Sequence, residues 1–469
     1  MFDTIIIGGG PAGYLAAERL GHNGKKVLLI EETQMGGTCL NCGCIPTKTL
    51  LNSAKQYVHA KEAEKFGVKA AGVSFDWAVM QGWKTEVVAK LRSGVEGQMK
   101  RFGVEVIKTR GEIVGAPSGE TPARVRSIAH NGSAEHEGKT ILVCAGSVPS
   151  LPPITGAKDN PFVMDSTGLL AVEKMPKRLA VIGGGVIGVE FAGLFSSLGA
   201  EVAVIEMMDE IIPFMDREHA PVLRRAMKDV KFHLGCKVEK IEGAAVHFTA
   251  GEGKAGVVEA DVILMAAGRR PLLDGWGGQA AGLDISSKGV AVDDRMRTNV
   301  PGIWAAGDIT GKSLLAHSAY RMAEVAAADI LSVLDGAAPG RDRMRYNAVP
   351  WAVYGITEAA GVGITEQEAG SKGLAILKAN LPMKVSGRFA AENSFSAVGA
   401  VKVIADANNR RILGVHAVGA YASEFIWGGA ALIEQEFRTD EVKQIIFPHP
   451  TVSELIREAV WEIKEITNA

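Results

Sequence analysis

One pattern of glycines and acids occurs twice in the chain and restricts its fold more than any other feature. In the first copy, an apolar run leads into Gly8-x-Gly10-x-x-Gly13, then a helical stretch, then a second apolar run that ends at Glu31. Between a strand and a helix, such glycines permit a tight turn, close approach of a pyrophosphate and packing of the helix on the strand. The acid accepts a hydrogen bond from a ribose hydroxyl. The pattern predicts a dinucleotide site.

The second copy lies 175 residues further along the chain. Gly183-x-Gly185-x-x-Gly188 again lies between two apolar runs, and the second run ends at Glu206. Two complete copies predict two dinucleotide sites, in preference to two glycine-rich turns with only structural roles. A carboxylate at this position repels a 2′-phosphate and accepts from a 2′-hydroxyl, and two methionines follow it in place of an arginine. The second site is therefore predicted to prefer NAD over NADP.

Three of the five cysteines lie within six positions, directly after the first nucleotide unit. We interpret Cys39 and Cys44 as a reversible disulfide. In a straight helix their Cα atoms would be roughly 8–9 Å apart, whereas a disulfide needs about 4.4–6.8 Å. The pair therefore requires a distorted turn, for which Gly43 and Pro46 are suitable residues. A helix that begins near Cys44 would also lower the pKa of its thiol.

Other interpretations of the cysteine cluster remain open from these residues alone. Cys39-x-x-Cys42 is also a redox spacing, and three buried, unreactive thiols would look the same. The cluster could also begin a metal site. A closed zinc site takes four nitrogen or sulfur ligands, however, and no second cluster of cysteines or histidines follows nearby. We therefore predict no metal.

Further along, apolar strands end at polar or glycine residues that suit a nucleotide site. Gly146 and Gly268 end two such strands, and we interpret them as the points where the chain leaves one nucleotide domain and returns to it. Another apolar strand ends at Asp308, which either binds a cofactor hydroxyl or is a plain turn residue. The last quarter changes character, because 397–406 and 411–418 are typical of an antiparallel hairpin, with a helix near 422–436.

His449 lies between two prolines near the end of the chain and has two interpretations. Thr451-x-x-Glu454 fits a capping box, which would explain both residues by helix initiation alone. In the functional interpretation, His449 transfers protons to and from thiols near neutral pH while Glu454 orients its ring. These residues alone do not decide between the two.

Composition limits the partners of the chain. It has 469 residues, enough for about three domains, and a formal net charge of −2, which does not call for nucleic acid or an anionic membrane. The N-terminal apolar run has no basic segment before it, and Glu190 and several glycines interrupt the apolar stretch 179–200, so neither predicts a membrane segment. A redox cysteine cluster fits a reducing cytoplasm. A mature mitochondrial-matrix protein would look identical.

Together these stretches resemble the pyridine nucleotide–disulfide oxidoreductases along essentially the whole chain, most specifically at 36–48 and 449–454. The resemblance implies an α/β fold with two Rossmann-like dinucleotide-binding domains, for FAD and NAD, and an α+β C-terminal dimerisation domain. It places the first part of the FAD domain and the redox disulfide at 1–147. The NAD domain follows at 148–271, a central part that completes the FAD domain at 272–345, and the interface domain at 346–469.

The resemblance also implies roles for single residues. Cys44 would face the flavin, Cys39 would exchange with substrate, and Lys48 would lie near flavin N5, paired with Glu190. His449, whose bond to Pro450 is expected to be cis, would serve the disulfide of the other subunit together with Glu454. The implied FAD-binding residues are Gly8, Gly10, Gly13, Glu31, Thr38, Lys48, Gly146, Asp308, Leu315, Ala316 and His317, and the implied NAD-binding residues are Gly183, Gly185, Gly188, Glu206 and Gly268.

The activity implied is the FAD-dependent oxidation of a protein-bound dihydrolipoyl group to lipoamide, with reduction of NAD+ to NADH. The implied partners are a second copy of the chain and a lipoyl-bearing protein of a 2-oxo acid dehydrogenase or glycine-cleavage complex. Cys42, Ser318, Gly355 and Thr357 depart from the usual pattern of the family. Two alternatives are an NADH-dependent reductase of another disulfide and a mainly structural subunit of a multienzyme complex.

Overall fold

One mixed sheet with a parallel core, one parallel sheet and one antiparallel sheet form the framework of the chain. They are seen in a computed structural model, in which we describe residues 1–393 and 397–463. The helices within these ranges are α1 (Pro11–His22), α2 (Gly37–Cys42), α3 (Cys44–Lys61), α4 (Trp77–Arg101), α5 (Ser166–Leu170), α6 (Val186–Ser197), α7 (Ala220–Ala226), α8 (Ala316–Leu334), α9 (Glu366–Ser371), α10 (Gly387–Asn393), α11 (Ala422–Glu434), α12 (Thr439–Gln444) and α13 (Leu455–Glu462).

The strands belong to several sheets, of which three are large. Those described are β1 (Phe2–Ile7), β2 (Val27–Glu31), β3 (Glu105–Lys108), β4 (Arg110–Gly115), β5 (Ala123–Ala129), β6 (Gly132–Val143), β7 (Ser147–Pro149), β8 (Val163–Met164), β9 (Arg178–Ile182), β10 (Glu201–Ile205), β11 (Val230–His233), β12 (Lys237–Glu242), β13 (Ala245–Thr249), β14 (Ala255–Glu259), β15 (Val262–Met265), β16 (Arg269–Pro271), β17 (Ile285–Ser286), β18 (Gly289–Val290), β19 (Ile303–Ala305), β20 (Trp351–Val353), β21 (Ala359–Gly363), β22 (Ile376–Pro382), β23 (Ala400–Asp406) and β24 (Ile412–Val418).

The first sheet contains the first glycine pattern. Its strand order is β3-β2-β1-β6-β5-β4, with β19 beside β6, and β1 pairs in parallel with both β2 and β6. Successive residues of a strand point to opposite faces, and here both faces are covered: Ile6 packs in one core cluster while Ile5 and Ile7 pack in another. This explains why β1 and β2 are almost continuously apolar.

The second sheet repeats this arrangement around the second glycine pattern. Its order is β11-β10-β9-β15-β8, and the strands pair in parallel. The glycine turn after β9 leads into α6, as the turn after β1 leads into α1. The carboxyl ends of parallel strands lie at one edge of a sheet, so both glycine turns and both acids lie at such an edge.

The antiparallel sheet lies in the last quarter of the chain, in the order β20-β21-β24-β23-β22. The predicted hairpin is confirmed: β23 and β24 pair in antiparallel register, with Ala400 opposite Val418. The first strand of the hairpin begins at Ala400, three residues after its predicted start at 397. The predicted helix that follows is α11, and the bond between His449 and Pro450 is cis, as expected.

A buried ion pair joins the antiparallel sheet to the segment that precedes α7. Nζ of Lys402 on β23 lies 3.1 Å from Oδ1 of Asp216, and neither side chain is exposed. The backbone N–H groups of Glu366 and Glu218 also donate to Asp216. Such a pair holds its partners in one geometry, because separating them would leave a buried charge alone.

The domain boundaries at 147, 271 and 345 stay predictions. Across the described ranges, none of the helices has both the length and the apolar character needed to cross a membrane.

Candidate active site

One cavity of about 2010 Å³ contains most of the predicted site residues. It extends from the first glycine turn, past the cysteine cluster, to the second glycine turn. Gly13, Gly188, His449 and Glu454 are the predicted site residues that do not line it. The predicted residues that do are Gly8, Gly10, Glu31, Thr38, Cys39, Cys44, Lys48, Gly146, Gly183, Gly185, Glu190, Glu206, Gly268, Asp308, Leu315, Ala316 and His317.

The two glycine turns have the shape that a pyrophosphate requires. Gly8 has a φ of +101°, and a Cβ on Gly13 would lie 1.8 Å from the carbonyl oxygen of Gly8, so α1 packs directly on the turn. By contrast, a Cβ on Gly185 would meet no atom within 4 Å, and one on Gly10 would meet only Cα of Gly37, at 3.9 Å. The open space is therefore on the cavity side, where a dinucleotide would approach the backbone. The turns fit the predicted cofactors.

The two acids are held in place by the backbone. Glu31 accepts hydrogen bonds from N–H of Gly9 and N–H of Thr33, each 2.7 Å long. Glu206 accepts from N–H of Gly184 and, at 2.7 Å, from N–H of Met208. Both carboxylates are buried at a strand end and line the cavity, which is the position needed to accept from a ribose hydroxyl.

The cysteine cluster spans a break between two helices. Cys39 and Cys42 lie on α2, Cys44 begins α3, and Gly43 between the helices has φ −140° and ψ −107°. This is the distorted turn that the spacing of Cys39 and Cys44 predicts. All five cysteines are thiols in this structure. Among the residues that the structure describes, no three or more His, Cys, Asp or Glu side chains are grouped to hold a metal ion.

The thiols of Cys39 and Cys44 share a hydrogen bond and have different acidities. The hydrogen bond from Cys39 and, to a smaller extent, the charge of Lys48 together lower the pKa of Cys44 to about 7, against the opposing effect of burial. The same hydrogen bond and burial raise the pKa of Cys39. Near neutral pH, Cys44 is therefore the sulfur that carries the negative charge of the reduced pair.

Lys48 and Glu190 form an ion pair beside Cys44. Nζ of Lys48 donates to both carboxylate oxygens of Glu190, each at 2.8 Å. Glu190 is buried on α6, so this pair links the cysteine helix α3 to the second nucleotide unit. Tyr354, which sequence reasoning missed, donates its backbone N–H to Glu190 and places its ring 4.6 Å from Nζ of Lys48.

The Lys48–Glu190 ion pair predicts that two substitutions shift the titration of Cys44 in opposite directions. Lys48→Met removes a charge that lowers the pKa of Cys44, so we expect the midpoint of its titration to rise above about 7. Glu190→Gln removes a charge that raises the same pKa, so the midpoint should fall. The measurement is the pH titration of the long-wavelength thiolate–flavin absorbance of each FAD-loaded, two-electron-reduced variant. Shifts of both variants in the same direction would contradict the assignment.

Asp308 belongs to a polar network that links three parts of the cavity wall. Its carboxylate accepts from Oγ of Ser147 at 2.6 Å, and burial raises its pKa. Arg269 donates through Nε to Oγ of Ser147 at 2.9 Å and through its second amino group to Oγ1 of Thr38 at 3.4 Å. Sequence reasoning missed Ser147 and Arg269, although each directly follows a predicted glycine, Gly146 or Gly268.

The start of α8 forms another part of the wall. Leu315 precedes the first turn of this 19-residue helix, and Ala316 and His317 begin it, so their backbone N–H groups lie at its positive end. Nε2 of His317 donates to the carbonyl oxygen of Pro350 at 2.6 Å. Ser318 is buried and accepts a hydrogen bond from Ser313, which explains how a small residue fits where the family pattern has lysine.

His449 and Glu454 form a pair on the surface, away from the cavity of their own chain. Nδ1 of His449 lies 3.0 Å from Oε2 of Glu454, and 78% of the His449 side chain is exposed. A carboxylate only accepts, so Nδ1 carries the proton and Nε2 can accept one. Thr451 accepts from N–H of Glu454, but the Glu454 carboxylate binds His449, so only half of the capping box forms.

Comparison with known proteins identifies the family. Residues 2–323 match the family described as pyridine nucleotide-disulphide oxidoreductase, and residues 349–460 match its dimerisation domain. The chain belongs to this family. This membership confirms the predicted enzyme class, an oxidoreductase that uses FAD and NAD, and the dimerisation domain supports the predicted homodimer.

Members of the pyridine nucleotide-disulphide oxidoreductase family resemble the chain over its whole length. Dihydrolipoyl dehydrogenase of Thermus scotoductus is 38% identical, covering 98% of the chain and 96% of the relative. Dihydrolipoyl dehydrogenase of Bacillus subtilis is 36% identical, covering 97% of each. The crystal structure of LpdA from Mycobacterium tuberculosis superposes with a TM-score of 0.88 at 27% identity, covering 99% of the chain and 100% of that structure. These matches confirm the predicted fold class.

Proposed function

We propose that this oxidoreductase oxidises dihydrolipoamide carried on a protein to lipoamide and reduces NAD+ to NADH. The observation that carries the proposal is the position of Cys39 and Cys44, which lie on either side of the break between α2 and α3 and line one cavity with both dinucleotide turns. A pair of neighbouring thiols suits a dithiol substrate, because two successive exchange steps transfer one electron pair. The dihydrolipoyl dehydrogenases that match the chain from end to end support the same substrate.

The thiol chemistry follows from the positions of the two cysteines. In the oxidised form, Cys39 and Cys44 are joined. A substrate thiolate attacks Sγ of Cys39, the Cys39–Cys44 bond breaks, and Cys44 leaves as a thiolate. The second substrate thiolate then attacks the substrate sulfur of the mixed disulfide, releasing lipoamide and leaving Cys39 reduced. Of the two substrate protons, one is taken by Nε2 of His449 of the partner subunit, which Glu454 orients, and the other ends on the Cys39 sulfur, while Cys44 stays a thiolate.

Other residues bind and position the cofactors. When bound, FAD would supply the redox chemistry that relays the electron pair of the dithiol to NAD+. The first glycine turn, Glu31, the network of Asp308 and the start of α8 would hold FAD. The second glycine turn and Glu206 would hold NAD. Lys48 would stabilise both the Cys44 thiolate and negative charge on the nearby flavin ring.

The choice of substrate is tested by comparing two thiol/disulfide couples, one of a dithiol and one of a monothiol. We expect kcat/KM for dihydrolipoamide with NAD+ to exceed that for glutathione with NAD+ by about a hundredfold or more, because a site that binds a dithiol gains little from two separate monothiols. Steady-state rates of the FAD-loaded dimer measure this ratio, with free dihydrolipoamide as the probe. Equal or greater efficiency with the glutathione couple would reject lipoamide as the substrate.

The preference for NAD is tested at Glu206. Glu206→Gln removes the negative charge that repels a 2′-phosphate and keeps an oxygen that accepts hydrogen bonds. We expect the KM for NADP+ to fall by about tenfold, while the KM for NAD+ rises or stays unchanged. Glu201→Gln is a matched control, since Glu201 begins the same strand but lies at its exposed end. An unchanged NADP+ KM in Glu206→Gln would contradict the assignment.

We also propose the biological setting. The dithiol substrate is a lipoyl-bearing protein of a 2-oxo acid dehydrogenase or glycine-cleavage complex, and the enzyme works as a homodimer in the cytoplasm. The bulk of such a substrate requires the disulfide to be reached from the surface near the interface, which agrees with the exposure of His449.

A further inference from the structure

Cys42 lies one helical turn after Cys39 on α2, and both residues line the cavity. Between them, Leu40 is buried, and the side-chain amide of Asn41 donates to the carbonyl oxygens of Met35 and Gly37. Cα atoms three residues apart in a helix are about 5 Å apart, which lies inside the range of about 4.4–6.8 Å for a disulfide. Cys39 is therefore within reach of two thiols, Cys42 along its own helix and Cys44 across the break.

We propose that Cys39 exchanges its disulfide partner, so that the oxidised enzyme contains a second disulfide, Cys39–Cys42, in equilibrium with Cys39–Cys44. The inference rests on the proposed function, because it takes the Cys39–Cys44 disulfide as its starting point. It adds a third redox thiol to the site and a form of the enzyme in which the cysteine that faces the flavin is free.

The exchange balances without an external oxidant or reductant. The thiol of Cys42 loses its proton to solvent, and the resulting thiolate attacks Sγ of Cys39. The Cys42–Cys39 bond forms, the Cys39–Cys44 bond breaks, and Cys44 leaves as a thiolate. The number of disulfides and the number of electrons on the protein stay the same.

The surroundings of Cys44 make it a good leaving group. A disulfide exchanges faster when the departing thiol has a lower pKa. The hydrogen bond from Cys39 is lost in the exchanged form, but Lys48 still attracts the negative charge, and the sulfur still lies at the start of the 18-residue helix α3. The exchanged enzyme therefore carries a Cys44 thiolate without having been reduced.

Differential labelling of the oxidised, FAD-loaded dimer tests the inference. Free thiols are alkylated rapidly, the protein is then reduced, and the released thiols receive a second label. The three cysteines fall in one tryptic peptide, so fragmentation of that peptide locates each label. In the Cys39–Cys44 form the first label is on Cys42, and in the Cys39–Cys42 form it is on Cys44. We expect both peptides from the wild-type chain.

Cys42→Ser provides the decisive comparison, because only Cys39–Cys44 can then form. We expect its first label on Cys44 to fall by about tenfold or more, together with the long-wavelength thiolate–flavin absorbance of the unreduced enzyme. Cys236→Ser is the matched control and should keep both signals, since Cys236 lies outside the cluster.

The outcomes separate this inference from the proposed function. A first label confined to Cys42 in the wild-type chain would overturn the exchange and leave the Cys39–Cys44 disulfide in place. The same would follow if Cys42→Ser kept its label on Cys44. A first label on all three cysteines of the oxidised enzyme would instead mean that no disulfide forms, which would overturn the proposed function as well.

Discussion

Replacing Cys44 by serine is expected to lower the turnover of dihydrolipoamide with NAD+ by about a thousandfold or more. The physical reason is that Cys44 is the sulfur that leaves Cys39 and keeps the electron pair. Its thiolate is stabilised by the hydrogen bond from Cys39 and by Lys48, which together bring its pKa to about 7 despite burial. A serine hydroxyl in this position neither forms a disulfide nor ionises near neutral pH. Steady-state kinetics of the FAD-loaded variant measure the loss.

Cys39→Ser is the informative companion variant, because the two cysteines have different roles in the same pair. It should lose turnover to a similar extent but keep the Cys44 thiolate, so its flavin should show long-wavelength absorbance without reduction. Cys44→Ser should lack this absorbance. Cys144→Ser changes a buried cysteine outside the cluster and serves as the control for handling and cofactor loading. Long-wavelength absorbance in Cys44→Ser and none in Cys39→Ser would reverse the two roles.

Sequence reasoning reached the parts of the site that depend on neighbours along the chain. The glycine turns, the acids at the strand ends and the break between α2 and α3 are set by local backbone geometry. The presence of glycine at Gly8, Gly13 and Gly43 in the sequence therefore indicates the local backbone geometry at these positions. The start of α3 at Cys44 follows in the same way from Gly43 and Pro46. These local features were sufficient to predict two nucleotide units and a distorted redox turn between them.

Spacing and composition could not predict contacts between segments that are far apart in the sequence. Lys48 and Glu190 are 142 residues apart, and only the packing of α3 against the second nucleotide unit brings them together. The resemblance to the family supplied that pair, but neither it nor the spacing assigned a role to Tyr354 or Arg269. Each of these two side chains contacts a partner on a segment that is far away in the sequence. An isolated tyrosine or arginine carries no periodicity that would mark it as part of a site.

The contacts of His449 and Glu454 bear on a question that the sequence left open. Both the capping box and the acid–base interpretation use the same residues at the same spacing. In the structure, the Glu454 carboxylate binds the His449 ring and does not close the capping box, of which only the half from Thr451 forms. Helix initiation therefore does not explain the position of Glu454, and the acid–base interpretation is favoured.

Replacing His449 by glutamine is accordingly expected to lower kcat by about a hundredfold to ten-thousandfold, the usual effect of losing a general acid–base group. Glutamine keeps polarity and approximate size but cannot carry the proton of a substrate thiol. Glu454→Gln should lower kcat less, because its amide oxygen still accepts from Nδ1–H while the negative charge is lost. The pH dependence of kcat for the three proteins separates a proton-transfer role from a structural one, since only the former changes the shape of the profile.

The exposure of His449 outside its own cavity makes a stronger test possible. If each histidine serves the disulfide of the partner subunit, a dimer of one His449→Gln chain and one Cys39→Ser chain has one intact site, built from the cysteines of the first and the histidine of the second. Random pairing of equal amounts makes half of the dimers mixed, so unfolding and reassembling the two inactive variants together should recover about a quarter of wild-type turnover.

A mixture of His449→Gln with a chain carrying both substitutions should recover none, because no dimer in it has an intact histidine. If the first mixture also stayed inactive while forming dimers, the histidine would have to act within its own chain, and the separation between His449 and the cavity would then require the C-terminal segment to move.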